Sequence, residues 1–258
     1  MDITSDTFKN KTVLITGAAS GLGKAMAIGF AKAGASVIVS DINDAGTEVA
    51  SEINGEFIKA DLSSMEETKA MCMQALKLAK SVDILVNNAG FQKMSPVEEF
   101  PDQLWANMIQ VMLISPFQTI KYFLPSMKNQ GWGRIINISS IHGLVASPYK
   151  SAYISAKHGL IGLTKTVALE AGQHGVTVNA ICPGYTRTPI VESQIRDQAI
   201  YHGISEDDVV DQVILAPAAI KRLIEPDEIS NLALFLASEN ARSITGSTYS
   251  IDAGWVAR

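Results

Sequence analysis

Short runs of β-branched and apolar residues alternate with longer segments of helical periodicity along almost the whole chain. This alternation is typical of a parallel sheet whose strands are buried on both faces. Predicted strands cover Thr12 to Thr16, Ser36 to Asp41, Glu56 to Ala60, Asp83 to Asn87, Arg134 to Ser139, Thr177 to Ile181 and Thr248 to Ile251. Helices are predicted near 21–33, 44–53, 64–80, 102–128, 152–173 and 226–237. Because crossovers between parallel strands are right-handed, we predict one α/β domain over residues 1–258, a doubly wound, seven-stranded sheet that binds ligands beyond its strand ends.

One segment departs from this alternation. From Thr186 to Arg222 the pattern is helical but polar, and the segment lies between the sixth and seventh predicted strands. It is longer than a plain connection between a strand and a helix. We therefore predict that residues 186–222 form a substrate lid within the same domain.

Composition narrows the classes of partner. The chain is 47% hydrophobic and 18% charged, which suits a continuous core and argues against disorder. A net charge of -5 without a basic run disfavours nucleic acid and anionic membranes, so we expect a small-molecule partner. Cys72 and Cys182 are not spaced as metal ligands, and we predict neither a disulfide framework nor a metal site. We find no signal peptide and no apolar run of membrane-spanning length, so we expect a cytoplasmic location.

A glycine-rich turn joins the first predicted strand to the first helix. Gly17, Gly21 and Gly23 lie in the segment Thr16-Gly17-Ala18-Ala19-Ser20-Gly21-Leu22-Gly23. Glycine lets the backbone approach a pyrophosphate closely, and the helix N-terminus offers free N–H groups and a positive dipole. Glycines also occur in helix starts that bind nothing, but a strand before and a helix after them favour a Rossmann-like dinucleotide site.

Asp41 ends the second predicted strand. At this position a carboxylate can accept hydrogen bonds from ribose hydroxyls, and it would repel a 2'-phosphate. The sequence therefore predicts NAD as the cofactor in preference to NADP. The alternative interpretation is that Asp41 caps the helix that begins near Asp44.

Ser140, Tyr153 and Lys157 are the candidate catalytic residues. Tyr153 and Lys157 are four residues apart on a predicted helix, so their side chains share a face. A nearby ammonium stabilises a phenolate, and lowering the tyrosine pKa by three units takes roughly 4 kcal/mol, which we assign to Lys157 together with a positive nicotinamide ring. Ser140 ends the fifth strand, where it can donate a hydrogen bond to a substrate oxygen while Tyr153 exchanges its proton.

These residues occur in the order found in the short-chain dehydrogenase/reductase family, which the sequence resembles along essentially its whole length. Supporting motifs are Asn87-Asn88-Ala89-Gly90, Pro183-Gly184 and Ile251-Asp252-Ala253-Gly254. The resemblance implies that Asp61 and Asn88 contact the adenosine half of NAD and Thr188 the nicotinamide amide. The implied nucleotide site comprises Gly17, Ser20, Gly21, Leu22, Gly23, Asp41, Asp61, Leu62, Asn88, Tyr153, Lys157, Pro183, Gly184 and Thr188.

One position departs from the family pattern. Met112 lies where the family usually carries an Asn that helps to link the catalytic lysine to solvent. A thioether cannot donate or accept as an amide does, so the proton relay is either slower or routed differently. The alternative is that Met112 is a packing residue in a helix that lost the polar side chain.

A second set of residues resembles the branch of the family that acts on D-3-hydroxybutyrate. The resemblance implies that Gln92, His142, Lys150 and Gln194 hold the substrate carboxylate, with Ser140 and Tyr153 at the reacting oxygen. A short hydroxy acid offers little apolar area, so its recognition depends on fixed donors of this kind. Tyr185 and Trp255 are candidates for the wall beside the substrate methyl group, or are ordinary packing aromatics.

The expected activity is therefore NAD-dependent interconversion of (R)-3-hydroxybutyrate and acetoacetate. One alternative keeps the chemistry and takes a sugar acid such as gluconate or a β-ketoacyl thioester as substrate. Another, suggested by Met112, is a non-catalytic sensor that binds NAD(H). The resemblance also implies a homotetramer formed through the long helices and the C-terminal strand.

Overall fold

Seven parallel strands form one sheet in the order β3-β2-β1-β4-β5-β6-β7 in the computed structural model, which describes residues 6–257 apart from the side chains of residues 197, 201 and 202. The predicted sheet is confirmed, and strand ends differ from the prediction by at most two residues. The strands are β1 (Thr12–Thr16), β2 (Ser36–Asp41), β3 (Glu56–Lys59), β4 (Ile84–Asn87), β5 (Gly133–Ile138), β6 (Val176–Pro183) and β7 (Thr248–Ile251). The order reverses between β1 and β4, which is the point at which such sheets bind their ligands.

Helices cover both faces of the sheet. They are α1 (Gly21–Lys32), α2 (Gly46–Glu52), α3 (Met65–Ala79), α4 (Asp102–Ile109), α5 (Ser115–Gln130), α6 (Ser151–Ala171), α7 (Pro189–His202), α8 (Glu206–Asp208) and α9 (Pro226–Ala237). One apolar cluster joins α1 and α9 to the sheet through residues such as Phe30 and Ile229. A second cluster joins α3, α5 and α6 to the opposite face, where Met71 and Phe123 are buried. These two layers leave the carboxyl ends of the strands open to ligands.

The prediction of one continuous helix over 102–128 was wrong. The structure has α4, then a π-helical turn over Gln110–Ile114, then α5. Pro116 in the first turn of α5 lacks the N–H that a regular helix would donate to the carbonyl of Met112. The wider turn accommodates the proline, and such π-turns occur frequently at functional sites.

Residues 186–222 contain α7, α8 and a π-helical turn over Val209–Ile214. The segment has a small apolar core of its own that includes Val191, Ile195 and Val209. Its two ends are paired, because Ile224 N–H donates to the Tyr185 carbonyl and Arg187 N–H donates to the Ile224 carbonyl. The helical character predicted for this segment is observed, and its action as a lid stays a prediction.

Candidate active site

A cavity of about 570 Å³ lies at the carboxyl ends of the strands. It runs from Asp41 and Asp61, where β2 and β3 end, to His142 and Lys150 beyond β5. Among the described residues, every predicted site residue except Gly23 lines this cavity: Gly17, Ser20, Gly21, Leu22, Asp41, Asp61, Leu62, Asn88, Gln92, Ser140, His142, Lys150, Tyr153, Lys157, Pro183, Gly184, Thr188 and Gln194. Residues far apart in sequence are thus brought to one surface.

The glycine turn is packed so closely that side chains are excluded. Gly17 has φ of 65°, and a Cβ there would lie 2.7 Å from the Cα of Ala89. Gly23 lies beneath the cavity wall, where a Cβ would overlap the Gly17 carbonyl oxygen and come within 2.7 Å of the Cα of Ala18. The start of α1 therefore presents its backbone N–H groups at the cavity surface, as a pyrophosphate site requires.

Two polar side chains hold the glycine turn in place. Asp41 accepts one hydrogen bond from Ala19 N–H and one from Asn43 N–H, each 2.9 Å long. Asn88 Nδ2 donates to the carbonyls of Thr16 and Gly17, at 2.9 Å in both cases. Asp41 does not cap α2, which Ala45 precedes, so the alternative interpretation of Asp41 as a helix cap is wrong. Its carboxylate joins β2 to the turn and still lines the cavity.

The segment 186–222 begins directly over the glycine turn. Thr188 is the N-cap of α7 and accepts a hydrogen bond from Val191 N–H. A Cβ on Gly21 would lie 3.5 Å from Cγ2 of Thr188, so the start of α7 packs directly against the start of α1. Ile190, Val191 and Gln194 continue the cavity wall along α7.

Ser140, Tyr153 and Lys157 meet at the other end of the cavity. Ser140 follows β5 and accepts a hydrogen bond from His142 N–H, and its hydroxyl acts on the Tyr153 phenol to lower the pKa of that group. Lys157 Nζ donates to the carbonyl of Ile138 over 2.7 Å and lies 5.5 Å from the ring centroid of Tyr153. The predicted triad is therefore assembled in one place.

Burial shifts the pKa values of two of these groups. It raises the pKa of the Tyr153 phenol, and the Ser140 hydrogen bond opposes that shift. Burial also lowers the pKa of Lys157 to about 8. Across 5.5 Å an ammonium stabilises a phenolate by roughly 3 kcal/mol at an effective dielectric constant of about 20, or roughly two pKa units. A second positive charge beside the phenol, such as an oxidised nicotinamide ring, would add to this stabilisation.

Buried polar side chains line the end of the cavity beyond β5, around His142 and Lys150, which we call the acid end because it suits the carboxylate of an acid. Lys150 is 3% exposed and begins α6, directly after Tyr149, whose φ of 65° is unusual for a residue with a side chain. His142 is 5% exposed and makes edge contacts to the rings of Tyr185 and Trp255, with centroids 6.5 and 6.0 Å away. Tyr185 lies on the cavity wall, whereas Trp255 is not among the cavity residues within the described chain.

Charge and hydrogen bonding at this end are incomplete without an anion. Burial lowers the pKa of Lys150 to about 8, and burial with the charge of Lys150 lowers the pKa of His142 to about 3. At neutral pH the imidazole is therefore neutral and the ammonium is mostly charged. Both amide atoms of Gln92 are buried, and they have no hydrogen-bond partner among the residues whose side chains the structure describes. A bound carboxylate would pair with Lys150 and accept a hydrogen bond from Gln92 Nε2.

Met112 is a packing residue in this structure. It is fully buried in a cluster that includes Met108, Ala152 and Ala156. Its sulfur lies close to Gly90, since a Cβ there would be 3.1 Å from Sδ of Met112 and 3.8 Å from Nζ of Lys157. Position 112 therefore presents a thioether, and no amide, on this side of the catalytic lysine.

The sequence analysis missed some residues of the cavity wall. They come from loops and helix faces without a recognisable motif, namely Ile42, Ser63, Phe91, Asn107, Val111 and Ile190. Asn107 and Val111 are one helical turn apart, so they lie on the same face of α4 and the following π-turn. This spacing of four residues is the sequence signal that could have identified them.

The donor set fits a dinucleotide and offers nothing for a metal. The backbone N–H groups at the glycine turn suit a pyrophosphate, and the carboxylate of Asp41 suits a ribose. Within residues 6–257, leaving out the side chains of residues 197, 201 and 202, no group of three or more His, Cys, Asp or Glu side chains is arranged to hold a metal ion. In the same range, no helix combines the length and apolar character needed to cross a bilayer.

Comparison with known proteins agrees with this geometry. The sequence family described as enoyl-(acyl carrier protein) reductase matches residues 17–256. Curated proteins named D-beta-hydroxybutyrate dehydrogenase are 47% identical in Rhizobium meliloti (strain 1021), covering 96% of this chain and 99% of that protein, and 43% identical in Cupriavidus necator (strain H16), covering 96% and 98%. A solved structure from Beutenbergia cavernae, described as an NAD(P)-dependent gluconate 5-dehydrogenase with NADP bound at low occupancy, has a TM-score of 0.88 and 32% identity over 98% of this chain and 100% of that chain.

Proposed function

This chain belongs to the short-chain dehydrogenase/reductase family, and we propose that it interconverts (R)-3-hydroxybutyrate and acetoacetate with NAD. The observation that carries the proposal is the placement of buried Lys150, His142 and Gln92 on the same cavity wall as Ser140 and Tyr153. That arrangement suits a small molecule with a carboxylate close to its reacting carbon. The names of the two hydroxybutyrate relatives support the same substrate.

Tyr153 is the acid and base of the proposed reaction. In the oxidative direction its phenolate takes the proton of the substrate hydroxyl, while Ser140 donates a hydrogen bond to the same oxygen. Lys157 holds a positive charge 5.5 Å from the centroid of the Tyr153 ring and favours the phenolate, against the burial that raises its pKa. When held at the glycine turn, NAD would supply the hydride acceptor that oxidation of the carbinol carbon requires. In the reductive direction Tyr153 returns the proton to the carbonyl oxygen.

The substrate carboxylate is held by the acid end of the cavity. Lys150 supplies the charge, while Gln92, His142 and Gln194 supply hydrogen bonds that orient the anion. Charge-assisted hydrogen bonds contribute about 1.5–3 kcal/mol each, which is enough to select a hydroxy acid over a neutral alcohol. A thioester has no carboxylate to satisfy Lys150, so we place the β-ketoacyl alternative below the hydroxy acid.

Asp41 underlies our preference for NAD over NADP. Its carboxylate is fixed by two backbone N–H groups and lines the adenosine end of the cavity, where a 2'-phosphate would meet a negative charge. The experiment is a spectrophotometric panel of (R)-3-hydroxybutyrate, (S)-3-hydroxybutyrate, gluconate and a β-hydroxyacyl thioester, each with NAD and NADP. The (R)-hydroxy acid with NAD should give the highest kcat/KM. A higher value with gluconate or a thioester contradicts the substrate, and a higher value with NADP contradicts the cofactor.

The segment 186–222 acts as a lid in this proposal. Gln194 lies on α7 and lines the cavity, so contact between its amide and the substrate carboxylate would favour closure and exclude water. Gln194→Ala is expected to raise KM for the substrate and to lower kcat. Steady-state kinetics tests the idea, and an unchanged kcat/KM would discard it.

A homotetramer remains part of the proposal. The long helices α5 and α6 carry exposed apolar side chains, including Phe117 at 48% and Leu169 at 87% exposure. Light scattering coupled to size-exclusion chromatography should return four times the chain mass of 27.6 kDa. A monomer at micromolar concentration would contradict this assembly.

A further inference from the structure

A chain of four buried polar side chains crosses the molecule beneath the active site. Thr119 of α5 donates to Asn87 Oδ1 over 2.7 Å, and Asn87 Nδ2 donates to Asn137 Oδ1 over 2.9 Å. Asn137 Nδ2 then donates to Thr164 Oγ1 over 2.9 Å, and Thr164 donates to the Leu160 carbonyl over 2.8 Å. None of the four polar side chains is more than 4% exposed. The chain therefore links α5, β4, β5 and α6 through the core.

The donors in this chain all run in one direction. Each middle residue accepts from the one before and donates to the one after, ending on the backbone of α6. Hydrogen bonds in series polarise one another, and a buried donor that loses its acceptor is costly. Within this series of hydrogen bonds Thr164 connects β5 to α6, because its hydroxyl is the acceptor for Asn137.

A second attachment joins the same two elements near the catalytic residues. Ser139 Oγ donates to the Lys157 carbonyl over 3.0 Å, and Lys157 Nζ donates to the Ile138 carbonyl over 2.7 Å. Together with Asn137, three consecutive residues of the β5 region thus bond to α6. Thr164 lies about 10 Å along the helix axis from Lys157, so the two attachments together resist both sliding and rotation of α6.

We propose that Thr164, acting through Asn137, is a positioning residue that fixes α6 against β5 and so sets the distance from Tyr153 to Ser140. Ser140 follows β5 and Tyr153 belongs to α6, which means that their geometry depends on the register of these two elements. A displacement of about 1 Å at reacting groups can reduce a rate by about 100-fold. The inference rests on the proposed function in one respect, the assignment of Tyr153 as acid and base.

The test compares Thr164→Val with a matched threonine elsewhere. Thr68 of α3 is also fully buried and donates to a carbonyl four residues back, Ser64, over 2.8 Å, but it lies away from the cavity. Thr68→Val therefore loses the same hydrogen bond from a threonine hydroxyl to a helix carbonyl, and it leaves the hydrogen bonds from Thr119 to Thr164 intact. We expect Thr164→Val to lower kcat about tenfold and to raise the pKa of the phenol in the NAD complex by about one unit, the shift equivalent to that loss. Thr164→Ser, which keeps the hydroxyl, should restore both, and KM for NAD should stay within about twofold of the parent.

Ultraviolet difference titration of the NAD complex measures the phenol without any substrate. If Thr164→Val matches Thr68→Val in kcat and in phenol pKa, the residue only stabilises the fold and the proposal is overturned, whatever the melting temperature. Thr164→Cys keeps the volume and offers a weak acceptor, so it replaces the valine variant if that does not fold, with about a threefold loss of kcat expected and no loss overturning the proposal. Failure to oxidise (R)-3-hydroxybutyrate refutes the proposed function alone, because the phenol titration still decides the role of Thr164.

Discussion

The two ends of the cavity are built in opposite ways. The nucleotide end is the part of the cavity formed by the glycine turn, Asp41 and Asn88. Its polar side chains already have hydrogen-bond partners within the protein, since Asp41 and Asn88 both bond to the glycine turn. At the acid end Lys150 is buried beside an aromatic ring, with Nζ 5.8 Å from the centroid of Tyr185, and the amide of Gln92 has no partner within the described chain. The first end is a finished backbone surface, whereas the second presents a buried ammonium and a buried amide that an anionic ligand would pair with.

The two ends of the cavity therefore differ in how strictly they select their ligands. The backbone N–H groups of the glycine turn bind a pyrophosphate through close packing of glycine, and the carboxylate of Asp41 beside them disfavours a 2'-phosphate. A site made of a buried ammonium carries a desolvation cost that only an anion offsets. We therefore expect changes at the acid end to alter substrate choice and changes at the nucleotide end to alter cofactor binding.

Tyr153→Phe tests the chemistry that both ends serve. Removing the phenol deletes the proposed acid and base and should lower kcat by about 1,000-fold, within the range observed for general acid and base groups. Binding of NADH, measured by fluorescence titration, should stay within about threefold because the ring is kept. Retention of full activity would show that another group moves the proton.

Gly23→Ala tests the packed backbone of the nucleotide end. The added methyl group would overlap the Gly17 carbonyl oxygen and come within 2.7 Å of Ala18 Cα, which displaces the N–H groups of the turn. Loss of charge-assisted contacts to the pyrophosphate should weaken NAD binding by about 100-fold. Gly162→Ala is the control, since a Cβ there meets nothing within 4 Å. Equal NAD affinity in the two variants, measured by calorimetry, would contradict this picture.

The same contrast explains what the sequence alone could predict. The strands and the glycine turn follow from local rules, because apolar runs and strand–turn–helix spacing have few structural solutions. Lys150 and His142 carry no such local signal, and only a resemblance to known proteins selected them from ordinary surface residues. Their burial depends on how the end of β5 meets α6 and α7, which is a tertiary outcome. The break between α4 and α5 was missed although Pro116 was visible, because the helical periodicity continues through it.

Lys150→Met tests the charge at the acid end. The substitution keeps most of the apolar stem and removes a charge-assisted contact of about 2 kcal/mol, so KM for the hydroxy acid should rise by about 30-fold. KM for NAD should change by less than twofold because Lys150 lies away from the glycine turn. Lys165→Met on the exposed side of the same helix is the matched control and should leave both constants unchanged. A rise in KM for NAD as large as that for the substrate would mean that the two ends are not independent.

The pH dependence of substrate binding should give the smallest effect and the sharpest comparison. Burial lowers the pKa of Lys150 from its usual 10.5 to about 8, so the ammonium that holds the carboxylate loses its proton well before an exposed lysine would. The carboxylate stays ionised throughout this range, and KM for the hydroxy acid should therefore rise about tenfold between about pH 7 and pH 9 as the charged fraction of Lys150 falls. KM for NAD should remain nearly flat, since the glycine turn binds through N–H groups that do not titrate. Lys157 also has a pKa of about 8, but its deprotonation acts on the phenolate and so on kcat. Lys150→Met separates the two, because it should abolish the rise in KM and preserve the pH dependence of kcat. A KM that still rises above pH 8 in this variant would assign the effect to a group other than Lys150.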